Sequence, residues 1–288
     1  METVAVLLVL CSAVMHATWN MLARRSIDPF AFFFCFNVAA VIIWAPPALV
    51  MLLRHPVEPV ELLLIFGSGM LQVAYFFTLA SAYRRGGLSL VYPIARGTGV
   101  ALVPASAVVL FDERPSLVAA LGVAAVLGGL ALIGWDASLE VKAAIDAPIA
   151  GAAAFALTTG LIIATYSLVD KYGVSRIHPI VYGYGLIVVT AGFYAPIVLL
   201  RRRATALAEW RAGKTAILAG GVLSLGTYLL VLAAFRTANV GYVVPLRETS
   251  IVFGLILSII ALSEPVRRLR VLAALAIASG AVAISIGG

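Results

Sequence analysis

The sequence predicts an all-α integral membrane protein with ten transmembrane helices, arranged as two inverted repeats of five. Three observations support this fold class: an apolar composition, ten long apolar stretches, and short segments that recur in both halves. Of the 288 residues, 63% are hydrophobic and 11% are charged, and the mean hydropathy is +1.09. Soluble domains carry about 25% charged residues, so this composition excludes an ordinary soluble protein.

The ten predicted spans are apolar stretches of about 20 residues, the length that crosses a hydrocarbon core of about 30 Å. The first stretch lacks a basic start and a clear cleavage site, and we predict a retained span there rather than a signal peptide. Little sequence lies outside the spans, so we expect no appended catalytic domain. The predicted helices cover residues 3–23, 30–53, 60–82, 87–110, 117–135, 148–169, 178–200, 214–235, 240–262 and 269–286.

Basic residues are distributed unequally between the loops that follow odd-numbered spans (the odd loops) and those that follow even-numbered spans (the even loops). An excess of Lys and Arg marks the cytoplasmic side, so we predict cytoplasmic odd loops and both termini outside the cytoplasm, in a bacterial-type inner membrane. The surplus of positive charge therefore reports topology and gives no reason to expect nucleic acid as a partner. The odd loops hold thirteen basic residues: Arg24, Arg25, Arg84, Arg85, Lys142, Arg201, Arg202, Arg203, Arg211, Lys214, Arg267, Arg268 and Arg270. The even loops hold five: Arg54, Arg114, Lys171, Arg176 and Arg236.

Three segments of the first half recur in the same order in the second half. A unit of five spans crosses the membrane an odd number of times, so its second copy is inverted, which is typical of secondary transporters with a site near the midplane. We therefore predict a first repeat over 1–141, a linker over 142–147 and a second repeat over 148–288. The matching segments are 17–24 with 164–171, 82–93 with 234–245, and 113–115 with 264–265.

These residues resemble the drug/metabolite transporter superfamily, in its ten-helix EamA-type branch. The resemblance covers essentially the whole chain, and it implies proton-coupled or exchange-type transport of a metabolite, often export. It does not indicate which metabolite. It depends on the five-plus-five layout and on four sets of residues: His16-Ala-Thr-Trp-Asn20, Tyr92-Pro-Ile-Ala-Arg96, Arg247-Glu-Thr-Ser250, and the Glu-Pro pairs that follow the fourth and ninth spans, Glu113-Arg-Pro115 and Glu264-Pro265.

Charges at matching positions of the two halves predict a polar centre. Arg96 follows Pro93 by three residues, and Glu248 follows Pro245 by three, with Arg247 beside it. Each lies about 16 Å from a helix start at ~1.5 Å per residue, near the middle of the bilayer. A charge at that depth costs at least ~2.5 kcal/mol, so it is expected to face a cavity and to carry function. Both prolines weaken a helical hydrogen bond, and we predict hinges there.

Each central charge has more than one interpretation. Arg96 either binds a carboxylate or phosphate group of the substrate or pairs structurally with Glu248 and joins the two halves. Glu248 is the best candidate for a proton-coupling group. Arg247 lies about 100° around the helix from Glu248, so it either contributes to the site or packs against helix-end carbonyls or another acid.

Polar and aromatic side chains at matching positions of the other helices complete the predicted site. We expect Asn20 and Gln72 to be better candidates than any hydroxyl, since Ser and Thr in membrane helices mostly bond to backbone or to a neighbouring helix. Trp19 fits either the site or an interfacial aromatic belt, and His16 fits either packing or a proton relay. The predicted substrate-binding set is Arg96, Glu248, Arg247, Asn20, Gln72, Tyr75, Trp19 and Tyr92.

Small residues four apart in the fifth and tenth spans allow close helix contact. The contact lies either within the chain or in a homodimer. These small residues are Ala124/Gly128, Ala125/Gly129, Ala274/Ala278 and Ala276/Gly280. Glu113 and Glu264 are expected to cap the helices that follow them, with a gate as the alternative role.

The predicted function is a secondary transporter of a small polar metabolite, zwitterionic or anionic, that works by alternating access as an exporter or exchanger. A channel or structural membrane protein is the alternative. A membrane enzyme is disfavoured, because the sequence shows no metal-ligand cluster, nucleophile–base set or phosphate-binding loop. No metal or cofactor is expected, and Cys11 and Cys35 are read as buried free thiols.

Overall fold

The computed structural model describes residues 1–24, 26–141, 149–262 and 267–288, which form helices joined by short loops. In these ranges, ten spans are long and apolar enough to cross a membrane, which confirms the predicted fold class. The helices are α1 Thr3–Arg24, α2 Pro29–Arg54, α3 Pro59–Tyr83, α4 Leu88–Leu110, α5 Leu117–Val141, α6 Ile149–Arg176, α7 Pro179–Arg201, α8 Arg203–Thr237, α9 Val240–Arg247, α10 Thr249–Leu262 and α11 Arg268–Gly287. The predicted linker 142–147 and the Glu264-Pro265 pair lie outside the described residues.

Three predicted boundaries are wrong because helices continue through charged residues. α5 extends to Val141, α6 extends to Arg176, and α8 begins at Arg203, where we expected ends at 135 and 169 and a start at 214. In α8 the backbone at Gly213 has φ −143° and ψ 44°, so residues 203–212 form a separate helical segment before the span. A charge therefore does not end a helix here when the fold supplies it with a partner.

Helix starts follow from local sequence. Asp28 caps α2, since its carboxylate accepts a hydrogen bond from the Ala31 amide at 2.9 Å. At the start of α3, the Glu58 side chain accepts from the amide of Glu61, and the Glu61 carboxylate accepts from the Glu58 amide at 3.0 Å. Proline occupies the first turn of α2, α3 and α7, where its missing donor costs nothing. These caps and prolines fix where α2, α3 and α7 begin.

The helix pairs correspond across the two halves of the chain. α1 packs on α8 as α6 packs on α3, and α4 packs on α6 as α9 and α10 pack on α1. α5 and α11 pack on each other. These are the pairs that a pseudo-twofold arrangement of two five-span halves would make, and they place α1, α3, α4, α6, α8 and α9 around the centre.

The small residues of α5 and α11 make the contact between these two helices. A Cβ added at Gly122 would lie 2.7 Å from the carbonyl oxygen of Gly280, and one added at Gly129 would lie 2.8 Å from that of Ala273. Such distances leave room for a hydrogen atom only. Ala124 and Gly128 are exposed on the outer side of α5, so a homodimer through that face stays a prediction.

Candidate functional site

A cavity of about 1200 Å³ enters the protein from the odd-loop face and ends at the midplane. Its mouth is formed by the ends of α3 and α7, with Arg84, Arg201 and Arg202. Its floor includes Tyr92 and Arg96 of α4. Because cations surround the mouth, the cavity attracts anionic groups of solutes from that side.

Aromatic side chains line the walls of the cavity. Trp19 packs its ring edge-on against Phe33 at 5.7 Å between centroids. Tyr75 contacts Phe76 at 5.0 Å, and Phe76 contacts Tyr194 at 6.0 Å. All five residues line the cavity. Such walls suit the apolar part of a solute, while its charged part reaches the floor.

The two central charges form an ion pair between the halves. Arg96 Nη1 lies 3.4 Å from Glu248 Oε1, and the side chains are 13% and 1% exposed. The Arg96 guanidinium also lies 5.9 Å from the centroid of the Tyr92 ring. The structure therefore makes the pair that the sequence offered as one of the two roles of Arg96, and it leaves the guanidinium at the cavity floor.

The ninth span breaks at Glu248, between α9 and α10. The Glu248 backbone has φ −66° and ψ −10°, and its amide bonds to the Pro245 carbonyl at 3.0 Å, one residue closer than in an α-helix. The Thr249 hydroxyl donates to the Leu246 carbonyl at 2.8 Å and so satisfies one acceptor at the break. Glu248 keeps right-handed helical angles, so one tightened turn interrupts the hydrogen-bond ladder inside a single span, Val240–Ile260. Such a turn within a helix often marks a hinge.

Several buried polar atoms at the centre have no hydrogen-bond partner among the described residues. Leaving such an atom unpaired costs about 1–3 kcal/mol, so a polar ligand that pairs with it gains that energy. Glu248 Oε2 can accept from a cation and Arg247 Nε can donate to an anion, so both signs are available. The orphaned atoms are His16 Nδ1, Trp19 Nε1, Trp44 Nε1, Tyr194 OH, Ser224 Oγ, Thr227 Oγ1, Arg247 Nε and Glu248 Oε2.

Most of the predicted site residues lie together. Trp19, Asn20, Tyr75, Tyr92 and Arg96 line the cavity. The Asn20 amide donates to the His16 carbonyl at 2.7 Å, so part of its bonding capacity is used inside α1. Below the floor, Arg247 and Glu248 both line a gap of about 10 Å³, although their positions on an ideal helix lie about 100° apart. Gln72 lies outside the lining of the cavity and of this gap.

The sequence analysis missed a second buried carboxylate, at Asp170. The predicted sixth span ends at 169, which leaves Asp170 just beyond it, but α6 continues to Arg176 and Asp170 is fully buried. Three hydroxyls donate to it: Tyr182 at 2.8 Å, Ser68 and Tyr228. The available signal was an aspartate inside a run of apolar and small residues that continues as Tyr-Gly-Val-Ser after Lys171.

Contacts between the two halves close the even-loop face. The Glu113 carboxylate, 9% exposed, accepts from the amides of Val240 at 2.8 Å and Gly241 at 3.0 Å, at the start of α9. The prediction that Glu113 caps the following helix is wrong, because the Ser116 hydroxyl accepts from the Ala119 amide there at 3.1 Å. A carboxylate at a helix N-terminus is favoured by the helix dipole, so Glu113 fastens the first half to the second.

Two histidines add to this closure. The imidazoles of His55 and His178 stack with 5.1 Å between centroids and 10° between planes, and they join the loop after α2 to the start of α7. Burial, the neighbouring His55 and Arg236 lower the pKa of His178. The closed face therefore favours the neutral form of His178.

Comparison with known proteins bears on the same residues. Residues 150–286 match the EamA-like transporter family. The match covers the five spans of the second half of the chain. This match indicates a transporter of the drug/metabolite type, and the EamA-like half contains Asp170, Arg247 and Glu248.

The fold of the whole chain has a known counterpart. A protein of known crystal structure is similar over 99% of this chain and 98% of its own, with a TM-score of 0.77 and 17% sequence identity. At that identity the similarity concerns the fold alone. No curated protein matches the chain.

Cys11 and Cys35 are free as expected, but Cys11 is exposed and only Cys35 is partly buried.

Proposed function

We propose that this protein is a secondary active transporter, working as an exporter or exchanger, of a small polar metabolite that is zwitterionic or anionic. Alternating access takes place around a midplane site between the two predicted inverted repeats. The observation that supports this most directly is the cavity. Its mouth lies at the odd-loop face, and its floor includes Arg96, whose ion-pair partner Glu248 comes from the other half.

The central pair gives the substrate a way to affect the closure. Arg96 Nη1 contacts Glu248 Oε1 at 3.4 Å, and the Arg96 side chain also lines the cavity. A substrate carboxylate or phosphate that binds Arg96 competes with Glu248 for it. Weakening this pair loosens the contact between α4 and α9, which is the movement that alternating access requires.

Glu248 is the proposed proton-coupling group, and Pro93 and Pro245 are the proposed hinges. When substrate occupies Arg96, Glu248 loses its partner in an apolar interior, and taking up a proton removes the cost of the unpaired charge. The break beside Pro245 supplies a point where the second half bends. A continuous channel is less consistent with the closed even-loop face.

The orientation in the membrane follows from the loop charges. With cytoplasmic odd loops, the cavity opens to the cytoplasm and both termini lie outside it. The closed contacts of Glu113 and the His55–His178 pair are then at the outer surface of an inner membrane. Reporter fusions at Gly288 that are active only in the cytoplasm would overturn this orientation.

The test begins with a ligand screen of the purified protein. Thermal stabilisation by amino acids, phosphonates and nucleotide-linked sugars identifies the compounds to follow in proteoliposome counterflow. We expect Arg96→Lys to lower counterflow at least tenfold, because a lysine lacks the second donor of the guanidinium fork. The matched control is Arg114→Gln, since Arg114 is 84% exposed and pairs only with a surface aspartate.

Three further outcomes separate the alternatives. Unchanged counterflow in both Arg96→Lys and Glu248→Gln excludes the midplane site. If Glu248→Gln keeps exchange and loses its response to a pH gradient, the proton-coupling role is supported, and an unaltered response removes that role. Electrogenic flux far above carrier rates indicates a channel instead.

A further inference from the structure

The Asp170 carboxyl group lies among hydroxyl donors that suit its negatively charged form. Hydroxyls of Ser68, Tyr182 and Tyr228, from three different helices, donate to its two oxygens. An ionised carboxylate only accepts hydrogen bonds, so three donors match its capacity. A buried charge with this arrangement still needs a counter-ion nearby.

Arg247 supplies the opposite charge. Its guanidinium lies 5.7 Å from the centroid of the Tyr228 ring, and the hydroxyl of the same tyrosine bonds to Asp170. Tyr228 therefore connects the cation and the carboxylate. Within the described residues, Arg247 has no carboxylate in direct contact and its Nε has no hydrogen-bond partner.

The four charges at the centre sum to zero. Arg96 and Arg247 are positive, and Glu248 and Asp170 are negative. In an apolar interior a single surplus charge interacts strongly with anything that enters. Without Asp170, the centre would carry one uncompensated positive charge, at Arg247 below the cavity floor.

We propose that Asp170 is a positioning residue that holds the net charge of the site at zero through Tyr228 and Arg247, and so makes the site select zwitterions over anions of the same shape. This inference rests on the proposed function and narrows its substrate class. A zwitterion in the cavity places its anionic group at Arg96, and its cationic group is balanced by the Glu248 carboxylate that competes for Arg96. An anion fills only the first of these positions and leaves a surplus negative charge.

The net charge of the site can be measured without knowing the substrate. A single cysteine is introduced as Gly254→Cys in a background of Cys11→Ser and Cys35→Ser. Gly254 lines the cavity, and a Cβ there meets no atom within 4 Å. The measured quantity is the rate of modification by an anionic thiosulfonate divided by the rate with a cationic one of matched size.

We expect Asp170→Asn to raise this anion-to-cation ratio at least about threefold, because it leaves a positive charge uncompensated. The matched control is Asp136→Asn, which removes another carboxylate buried to 1% exposure that Arg270 contacts at 2.8 Å, away from the cavity. A ratio that does not change in Asp170→Asn, or that changes equally in the control, overturns the inference.

Two further variants cover the case in which Asp170→Asn does not fold. Arg247→Gln should lower the ratio by a similar factor, and an unchanged ratio contradicts the proposal. The double variant Asp170→Asn with Arg247→Gln should return the ratio to that of the starting protein. A purely structural role of Asp170 would not be reversed by removing Arg247.

Flux measurements separate this inference from the proposed function. With substrates from the ligand screen, Asp170→Asn should raise the ratio of glutamate-like anion flux to glutamine-like zwitterion flux at least about threefold. If the starting protein transports substrate and Asp170→Asn leaves that flux ratio unchanged, the selectivity inference is wrong. The transporter proposal then still stands. If no tested compound is transported, the transporter proposal fails, while the modification rates still decide the charge of the site.

Discussion

The two proline-anchored segments that meet at the centre differ in continuity. α4 stays helical through Pro93 and Arg96 to Leu110, whereas the corresponding span of the second half divides into α9 and α10 at Glu248. The first turns of α4 and α9 differ too. α9 begins at amides that are bonded to Glu113, while α4 begins after Gly87 with no side-chain cap.

The difference follows from what each proline precedes. Pro93 is followed by one charge, whose partner lies across the cavity floor. Pro245 is followed by two adjacent charges with different surroundings, since Arg247 lies over Tyr228 and Glu248 contacts Arg96. A turn at Glu248 allows both side chains to reach the same small region. A shared motif therefore gives one continuous helix and one helix interrupted by a single turn, at the same depth.

Removing one member of the central pair should give the largest effect on stability. It tests which of the two charges, Arg96 or Glu248, depends more on its partner. Arg96→Met leaves Glu248 unpaired at 1% exposure, and we expect a loss of about 3–5 kcal/mol in the free energy of unfolding. Glu248→Gln should cost less, because Arg96 still faces the open cavity. Equilibrium unfolding in mixed micelles measures both, and a larger loss for Glu248→Gln would contradict this view of the cavity floor.

Removing the contact that holds the outer end of α9 should have the next largest effect. In Glu113→Gln only one oxygen accepts, so one of the two amides loses its partner, and we expect a loss of about 1–2 kcal/mol. The comparison variant is Asp112→Asn in the same loop, whose side chain is 81% exposed and whose loss should stay within about 0.5 kcal/mol. Similar losses in the two variants would mean that Glu113 does not secure α9.

Much of this architecture could be predicted because hydropathy and bilayer thickness determine which stretches span the membrane. The central pair could also be predicted, since charge is costly at midplane depth and Arg96 and Glu248 stand at matching positions. The family match adds support for the second half. Their roles in binding and coupling stay predictions that the structure leaves to experiment.

Asp170 could not be predicted from the pattern, and the reason is physical. Its partners Ser68, Tyr182 and Tyr228 come from three other helices, so no local spacing signals them. The same holds for Glu113, whose acceptor role depends on where α9 begins in space. Gln72 lies outside the lining of the cavity and of the gap, and its role in binding stays a prediction.

The interrupted helix should also open more readily than the continuous one. At Glu248 the helix has a shortened hydrogen-bond step, and Pro245 lacks an amide donor, whereas only the missing donor applies at Pro93. We expect amides of residues 246–251 to exchange with deuterium about tenfold faster than those of 94–99, a difference of about 1.4 kcal/mol in opening free energy. Hydrogen exchange with mass spectrometry measures this, and equal rates would show that the break carries no added mobility.

The histidine stack on the face that holds α9 should give the smallest effect, visible as a dependence on pH. The pKa of His178 is lowered in the folded protein by burial, His55 and Arg236, while the unfolded chain binds a proton near pH 6.5. Above about pH 6.5 both states are neutral and stability does not depend on this group. As pH falls below that value, the unfolded state protonates first, so stability falls until the folded group also titrates.

In His178→Asn, whose side-chain oxygen can replace Nδ1 as acceptor for the Ile180 amide, melting temperatures between pH 7 and pH 5 should fall less steeply. His55→Asn should lie between the two, because burial and Arg236 still act on His178. A slope unchanged in His178→Asn would show that the stability of the closed even-loop face does not depend on this pair.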